Sequence, residues 1–509
     1  MSDPAGQLSS DAYGDLKSRF RRAALIDDAL GILGWDQATT MPEGSAPGRA
    51  EQMAVLSVMR HELIVDPAVP DAIARAKDDY SSAPADDWDR ANLREMERAY
   101  SNAAAVPGAL VEAAARANAV CELQWRQARA DNDYAGLVPS LDEVLQLVRE
   151  IASAKAEVLS LAPYDALLDG FEPGTRTARL DPLFDRLAGF LPDFVQTVLE
   201  HQRSRPEPVL PEGPFAISDQ RELAMNLMQV LGFDFDSGRL DISHHPFCGG
   251  ATGDVRITTR YNEADFTESL MGVLHETGHA LYEIGLPAEW QFQPVGGALG
   301  MGIHESQSLL VEMQVSRSRP FLRFALPLMQ SALGGKGPAW EVENLYRLYT
   351  RVAPGFIRVN ADEATYPLHI ILRYRLEQAL LSGDLGLTDV PGAWNDGMTE
   401  LLGITPPDDR LGCLQDVHWP SGAFGYFPTY TLGAMAAAQF YGAAQRDLPG
   451  LDDAIADGEL GDFVAWLRTH VHGQGSSRTA DELLTRATGE PLNPDVFLDH
   501  LKARYLEKS

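Results

Sequence analysis

Cysteine is scarce in this chain: Cys121, Cys248 and Cys413 are the only three in 509 residues. An odd number at such wide spacing excludes a disulfide framework. Cys248, within the stretch HHPFCGG, reads as a small buried thiol. Long apolar runs are missing as well, and none approaches the roughly 18 residues that a membrane-spanning helix needs. The N-terminal stretch lacks the charged, apolar and small-residue succession of a secretory leader, so a cytoplasmic location is expected. Positive charge is in short supply, with 42 Lys and Arg against 73 Asp and Glu and a formal net charge of −31. That balance offers no attraction to phosphate backbones or anionic lipid, which argues against nucleic-acid and membrane partners. No self-similar period marks a solenoid.

What is present is helical periodicity. From residue 10 to about 205 the chain reads as helix after helix, with turns at 42–47, 81–87 and 106–108. The stretch GALVEAAARANAVCELQWRQARA has the apolar spacing of an amphipathic helix. A Pro-rich break at 205–211 is either a linker or a loop within one body. Segment 238–263 alone looks like strands, with Val255, Ile257, Thr258 and Thr259 bounded by glycines. From 265 helices resume. The expected fold is mainly α, with a small β-sheet whose edge can hold an extended peptide by main-chain hydrogen bonds.

The motif with chemistry in it is His275-Glu276-Thr277-Gly278-His279. Two imidazoles four residues apart on a helix lie on one face and can share a tetrahedral Zn²⁺, while Glu276 can meet a metal-bound water. The expected helix starts at Asp265, with Glu268 three residues on as the second half of a capping box, and stops at Gly285 before Pro287. Its flanks are apolar almost all round, so the two histidines are expected to be buried and to need a partner. A catalytic zinc also needs a third protein ligand. The run GGALGMGIHESQSLLVEM offers Glu305, with His304 as a competitor; residue types alone do not separate them, and a first-turn acid complementing the helix dipole is an equal reading of Glu305.

A wider set of segments resembles the carboxypeptidase Taq family, zinc metallocarboxypeptidases of the gluzincin group. In order along the chain these are Trp35-Asp36-Gln37 with Met41-Pro42, the run PYDALLD at 163–169, and His245-Pro246-Phe247. The tract DVRITTRY at 254–261, the pentapeptide at 275–279 and His304-Glu305-Ser306-Gln307 follow. Last come IRVNAD at 357–362 and GCLQDVHW at 412–419. The resemblance covers nearly the whole chain. It implies one domain over 1–509, a helical gluzincin-type body with a deep cleft. A helical part, about 1–205, forms one wall or lid, and a catalytic part, about 206–509, holds the sheet beside the metal helix. It implies His275, His279 and Glu305 as ligands of one Zn²⁺, with Co²⁺ or Mn²⁺ as substitutes, and Glu276 as general base. Arg358 would grip the substrate's C-terminal carboxylate, the competing reading being an ion pair with Asp362 one helical turn away. His418 and one of Tyr426 or Tyr430, with Tyr430 favoured, would face the oxyanion. His245 would line the cleft as a substrate contact, whereas His244 has no assigned part. Asp362 and Asp416 would orient ligands or His418. Peptide substrates and a homodimer are also implied.

One departure stands out. After His304 to Ser308 the chain continues Leu309-Leu310-Val311-Glu312-Met313, where the family usually interleaves an Arg, a Trp and an Asn. That puts in doubt the polar packing behind the third ligand, subsite preference and the dimer contact. The function expected is release of single C-terminal residues with broad specificity. The alternatives are an endo-oligopeptidase or dipeptidyl carboxypeptidase of the same architecture, and a helical binding protein that keeps the motif as a relic. The intact Glu276 argues against the relic.

Overall fold

The computed structural model describes residues 12–84 and 86–506; residues 10 and 11, where the sequence starts the first helix, and position 85 in the 81–87 turn lie outside them. Among the described residues, eight helices carry the chain to Arg203: α1 (Ala12–Thr39), α2 (Ala46–Ile64), α3 (Val69–Asp79), α4 (Trp88–Ala104), α5 (Gly108–Asp131), α6 (Tyr134–Leu159), α7 (Pro163–Leu168) and α8 (Thr177–Arg203). Three of the seven breaks between them fall at the expected turns, near 42–47, 81–87 and 106–108; those at 65–68, 132–133, 160–162 and 169–176 carried no turn reading. Helix α8 shows why these segments are helical: Leu180, Leu183, Phe184, Leu187, Leu191, Phe194, Val195 and Val198 repeat at three and four residues and are all buried. Each such side chain contributes on the order of 1.5–3 kcal/mol of burial, far more than helix propensity supplies.

After the Pro-rich break come α9 (Ile217–Val230) and three strands, β1 (Gly238–Ile242), β2 (Cys248–Ala251) and β3 (Asp254–Thr259). The order is β1-β3-β2, with β1 parallel to β3 in the register Gly238 to Val255, and β2 antiparallel to it with Cys248 opposite Ile257. The remaining helices are α10 (Phe266–Gly285), α11 (Met301–Leu309), α12 (Arg319–Leu333), α13 (Val342–Tyr349), α14 (Tyr366–Ser382), α15 (Val390–Leu402), α16 (Pro428–Asp447), α17 (Leu451–Asp457), α18 (Gly461–His470), α19 (Ala480–Thr488) and α20 (Pro494–Tyr505). A π-helical stretch, Leu310–Ser316, continues α11. No helix among the described residues is long and apolar enough to cross a membrane.

The sheet sets the position of α10. Val255 and Ile257 of β3 pack with Val273 and Ala280 of that helix in one small apolar cluster. The first helix is fixed to the same sheet. A Cβ on Gly31 would lie 2.2 Å from the carbonyl oxygen of Gly250, so only glycine permits this contact. Asp28 accepts from the Thr252 amide at 3.1 Å, and Trp35 lies under the guanidinium groups of Arg239 and Arg256 at 4.9 and 4.6 Å. All three cysteines are free thiols, Cys121 and Cys413 buried and Cys248 partly so.

The main apolar cluster draws on residues from both sides of the break at 205–211, from Ala117 to Tyr505. Asn344, buried, clasps the loop: it accepts from the Val209 amide at 2.8 Å and donates to the Val209 carbonyl at 2.8 Å. Asn344→Ala removes both, together with its bond to the buried Ala339 carbonyl at 3.0 Å; each lost hydrogen bond contributes about 0.5–1.5 kcal/mol. The expected result is a lower denaturation midpoint with new proteolytic cleavage at 205–211; unchanged stability and resistance would show that the clasp does nothing.

Candidate metal centre

Helix α10 begins as its sequence indicates at one point only. Asp265 accepts from the Thr267 amide at 2.8 Å, but Glu268 makes no reciprocal cap and instead faces Arg260 at 3.4 Å. Gly285 is the last helical residue and not a left-handed cap. Its role is space: a Cβ there would lie 2.5 Å from the ring of His472. Gly278, inside the pentapeptide, has the same role with larger consequences. A Cβ at 278 would stand 2.3 Å from the Gln307 carbonyl and 2.6 Å from the Ser308 Cα. Its absence lets α10 and α11 touch backbone to backbone. On the far side of α11, Gly433 of α16 lies against Glu305, where a Cβ would be 2.8 Å from the Glu305 side chain. Glu172 accepts from the Gly302 amide at 2.7 Å and fixes the start of α11.

The result is convergence. One donor atom from each of His275, His279 and Glu305 lies within 4.8 Å of the others. Glu305 reaches to 3.4 Å from Nε2 of His279 and 3.9 Å from Nε2 of His275. The other ring nitrogens are occupied. His275 Nδ1 meets Glu312 at 2.9 Å, and Glu312 is itself paired with Arg317. His279 Nδ1 meets His304 Nδ1 at 2.6 Å, and His304 Nε2 meets Glu283 at 2.8 Å. His304 therefore stands behind His279 and is not one of the convergent donors. Backing imidazoles through their outer nitrogens, directly or through a relay, is how metal-binding histidines are oriented.

Electrostatics fit a cation. Glu276, Glu305 and Glu312 are all buried around two imidazoles. Burial, partly offset by His275 and reinforced by Glu305, lifts the Glu276 carboxyl to about 7. Burial opposes charge on His275, yet the Glu312 hydrogen bond and Glu305 outweigh it and raise the ring to about 10. Burial above all pushes His279 down to about 4. A surplus of carboxylate beside two imidazole nitrogens is the donor set that hard-to-borderline divalent metals take.

Beside this centre runs a wall of basic and aromatic groups. Arg358 sits in a 3₁₀ turn, Arg358–Asn360, and is buried. Its Nε and Nη2 donate to one oxygen of Asp416 at 3.0 and 2.8 Å, and Arg373 donates through Nε to the other at 2.7 Å. The expected alternative partner, Asp362, is not used. Because 358–365 is a succession of turns and not an α-helix, residues four apart do not face each other. Asp362 instead accepts from the amides of Ala353, Ala364 and Thr365, each at 3.0 Å. Burial drives the Asp416 carboxyl up, but Arg358 and Arg373 together overcome it and hold it well below the usual range. His418 Nε2 faces the Tyr430 hydroxyl at 3.2 Å, while its Nδ1 is buried without a partner, 3.9 Å from Asp416 and beyond hydrogen-bond reach. Burial takes His418 down to about 4, so the ring is neutral. The Tyr430 ring lies 5.2 Å from that of Tyr426 and 4.9 Å from the Arg358 guanidinium. Tyr430 belongs to α16, the helix whose Gly433 lies against the Glu305 side chain, so this wall adjoins the three donors. His245 is not part of the cluster. It lies at the surface on the turn between β1 and β2, where partial desolvation, His244, Arg260 and then Arg129 and Arg126 of α5 depress its pKa.

Four contributors escaped the sequence: Glu312, Glu283, Glu172 and Arg373. Only Glu283, four residues after His279 on one helix face, left a spacing that marks it.

Fold and site together define a helical protein with a two-histidine, one-glutamate centre next to an arginine-bearing wall. The chain belongs to the carboxypeptidase Taq (M32) metallopeptidase family, whose model matches residues 15–505. It is 38% identical to Thermostable carboxypeptidase 1 of Thermus thermophilus over 512 aligned residues, covering 97% of this chain and 98% of that one. It is 34% identical to Carboxypeptidase 1 of Bacillus subtilis, covering 95% and 96%. Trypanosoma cruzi metallocarboxypeptidase 1 superimposes with a TM-score of 0.94 at 41% identity, covering 97% of this chain and 99% of that one. The protein is thus a metallocarboxypeptidase, a hydrolase of peptides that works with a divalent metal.

Removing the group behind His275 tests the centre without an assay of catalysis. Glu312→Ala should weaken metal binding about 10–100-fold, and Glu312→Gln, which keeps an acceptor, by less. Chelator competition measures both; equal affinities for wild type and Glu312→Ala would remove Glu312 from the centre.

Proposed function

We propose that this enzyme removes single residues of broad identity from the free C-termini of peptides, with one Zn²⁺ per chain held by His275, His279 and Glu305. The observation that carries the reading is the convergence of those three donors with Glu276 buried beside them. A zinc ion there would polarise the scissile carbonyl and acidify the attacking water. Glu276 takes that water's proton and passes it to the leaving amine, one carboxylate serving as base and then as acid.

Arg358 grips the substrate's terminal carboxylate. Its pairing with Asp416 does not cancel its charge, because Arg373 holds the other oxygen of the same aspartate. Two guanidiniums against one carboxylate leave a buried surplus of positive charge. The neighbouring His369 is neutral, since burial and then Arg373 press it down to about 3. A planar guanidinium then binds the incoming carboxylate and fixes which peptide bond meets the donors. Tyr430, with His418 at 3.2 Å from its hydroxyl, donates to the developing oxyanion; Tyr426 packs behind it. His245 contacts the peptide further from the cut. A homodimer completes the reading, on the family resemblance alone.

Glu276→Gln should retain stoichiometric metal and lose about 100-fold or more of kcat. Loss of the metal instead would make Glu276 structural. Arg358→Ala should raise KM about tenfold or more for free-carboxylate peptides, the scale of a charged hydrogen bond of about 1.5–3 kcal/mol. A lower Tm with unchanged KM would assign Arg358 to the Asp416 pair alone. The reading as a whole is tested with matched peptides bearing a free or an amidated C-terminus. Release of one amino acid from the free form only is expected, and internal cleavage of the amidated form would overturn it.

A further inference from the structure

The Pro-rich loop 205–211 and the segment 350–354 enclose a cavity of about 290 Å³ between the ends of α8, α13 and α20. Its lining inverts the charge of the molecule. In a chain with 73 acidic and 42 Lys and Arg residues, this cavity is lined by Arg203, Arg205, Arg347, Arg351 and Arg504 against one carboxylate, Glu207.

The protein neutralises this cluster only in part. Arg504 is committed inward, to Glu363 at 2.9 Å and the Met313 carbonyl at 2.6 Å. Arg351 approaches Glu207 only to 4.0 Å, with both side chains more than half exposed, a pair worth little in water. Arg203 and Arg347 have no ion-pair partner among the described residues. The Nε of Arg347 is buried with no acceptor, the kind of orphaned donor that folded proteins rarely tolerate. Like charges around a concave wall focus a positive field into it.

An oxyanion with several acceptor atoms answers all three facts at once. It balances the charge, accepts from Arg347 and matches the guanidinium fork, which binds phosphate through paired hydrogen bonds. The volume lies at the lower end of small-ligand sites, about 300–1,000 Å³, which suits a compact ligand and not a polymer. We propose that this cavity is a binding site for a small phosphate-bearing anion, inorganic phosphate or a phosphate monoester. It is separate from the wall that holds Arg358. Segment 350–354 is nevertheless bonded to that wall's neighbourhood: Val352 is held by Gln202 at 2.8 and 2.9 Å, and the Ala353 amide by Asp362 at 3.0 Å.

The test is calorimetric titration of the metal-loaded enzyme at fixed ionic strength, with inorganic phosphate, adenosine 5′-monophosphate and chloride as separate probes. One saturable site is expected for at least one phosphate probe, tenfold or more tighter than chloride. The stronger of the two phosphates identifies the source. Arg203→Gln with Arg351→Gln, both exposed positions, should weaken binding tenfold or more with an unchanged Tm. Arg347→Gln, made singly, should do the same, whereas Arg358→Ala should bind as wild type does. No saturable binding, or wild-type binding by both pocket variants, overturns the proposal. Loss of binding in Arg358→Ala also overturns it, because the anion would then sit in the catalytic wall.

Discussion

Everything in this centre depends on two helix backbones touching. An imidazole pair on α10 is only a surface feature until a carboxylate arrives from another element. It arrives because position 278 has no side chain: α11 then packs directly on α10, and Glu305 lies within 4 Å of both rings. Close packing makes such an arrangement stiff, since a core at crystal-like density cannot relax around an added methyl group without shifting backbone. The same device recurs at Gly433, where α16 presses on Glu305 from behind, and at Gly31, where α1 is seated on the sheet. Three glycines, none of them in a turn, set the approach of the elements that surround the chemistry.

Charge is organised as strictly as space. The ionisable groups of the centre are buried or half-buried, and most are answered by a partner: His275 by Glu312, His279 by His304 and then Glu283, Arg358 and Arg373 by Asp416. Low dielectric makes such pairs strong and makes an unanswered group costly. The local balance is what differs. Carboxylates outnumber cations around the three donors, and guanidiniums outnumber carboxylates on the neighbouring wall. A cation is favoured in the first place and an anion in the second. The net charge of −31 describes neither.

Much of this was legible in the sequence, and what was not has a physical reason. Helix periodicity and Gly-bounded strands located the elements, since both signals are local. The pentapeptide named two of the three converging side chains for the same reason, with the proposed base, Glu276, between them. The choice between His304 and Glu305 needed the family resemblance, because adjacent residues on a helix point about 100° apart and only the neighbouring element decides which faces the rings. The structure puts both to use, one in front and one behind. The competing reading of Arg358, an ion pair with Asp362, fails because its spacing assumed a helix where the chain makes turns, and Asp416 is the partner instead. Glu268 illustrates the same limit: a capping pattern was read from a local rule and Arg260 gave the side chain other work, whereas the helix does stop at Gly285 as its sequence indicates. Arg373 and Glu312 lie 43 and 37 residues from their partners, beyond any local rule.

The claim that a helix–helix contact builds the metal centre is tested most directly by metal content in two adjacent variants, Glu305→Gln and His304→Gln, measured by elemental analysis after equal dialysis. The account predicts that Glu305→Gln loses its metal, while His304→Gln keeps one ion per chain with weaker affinity. Retention by Glu305→Gln and loss by His304→Gln would contradict it.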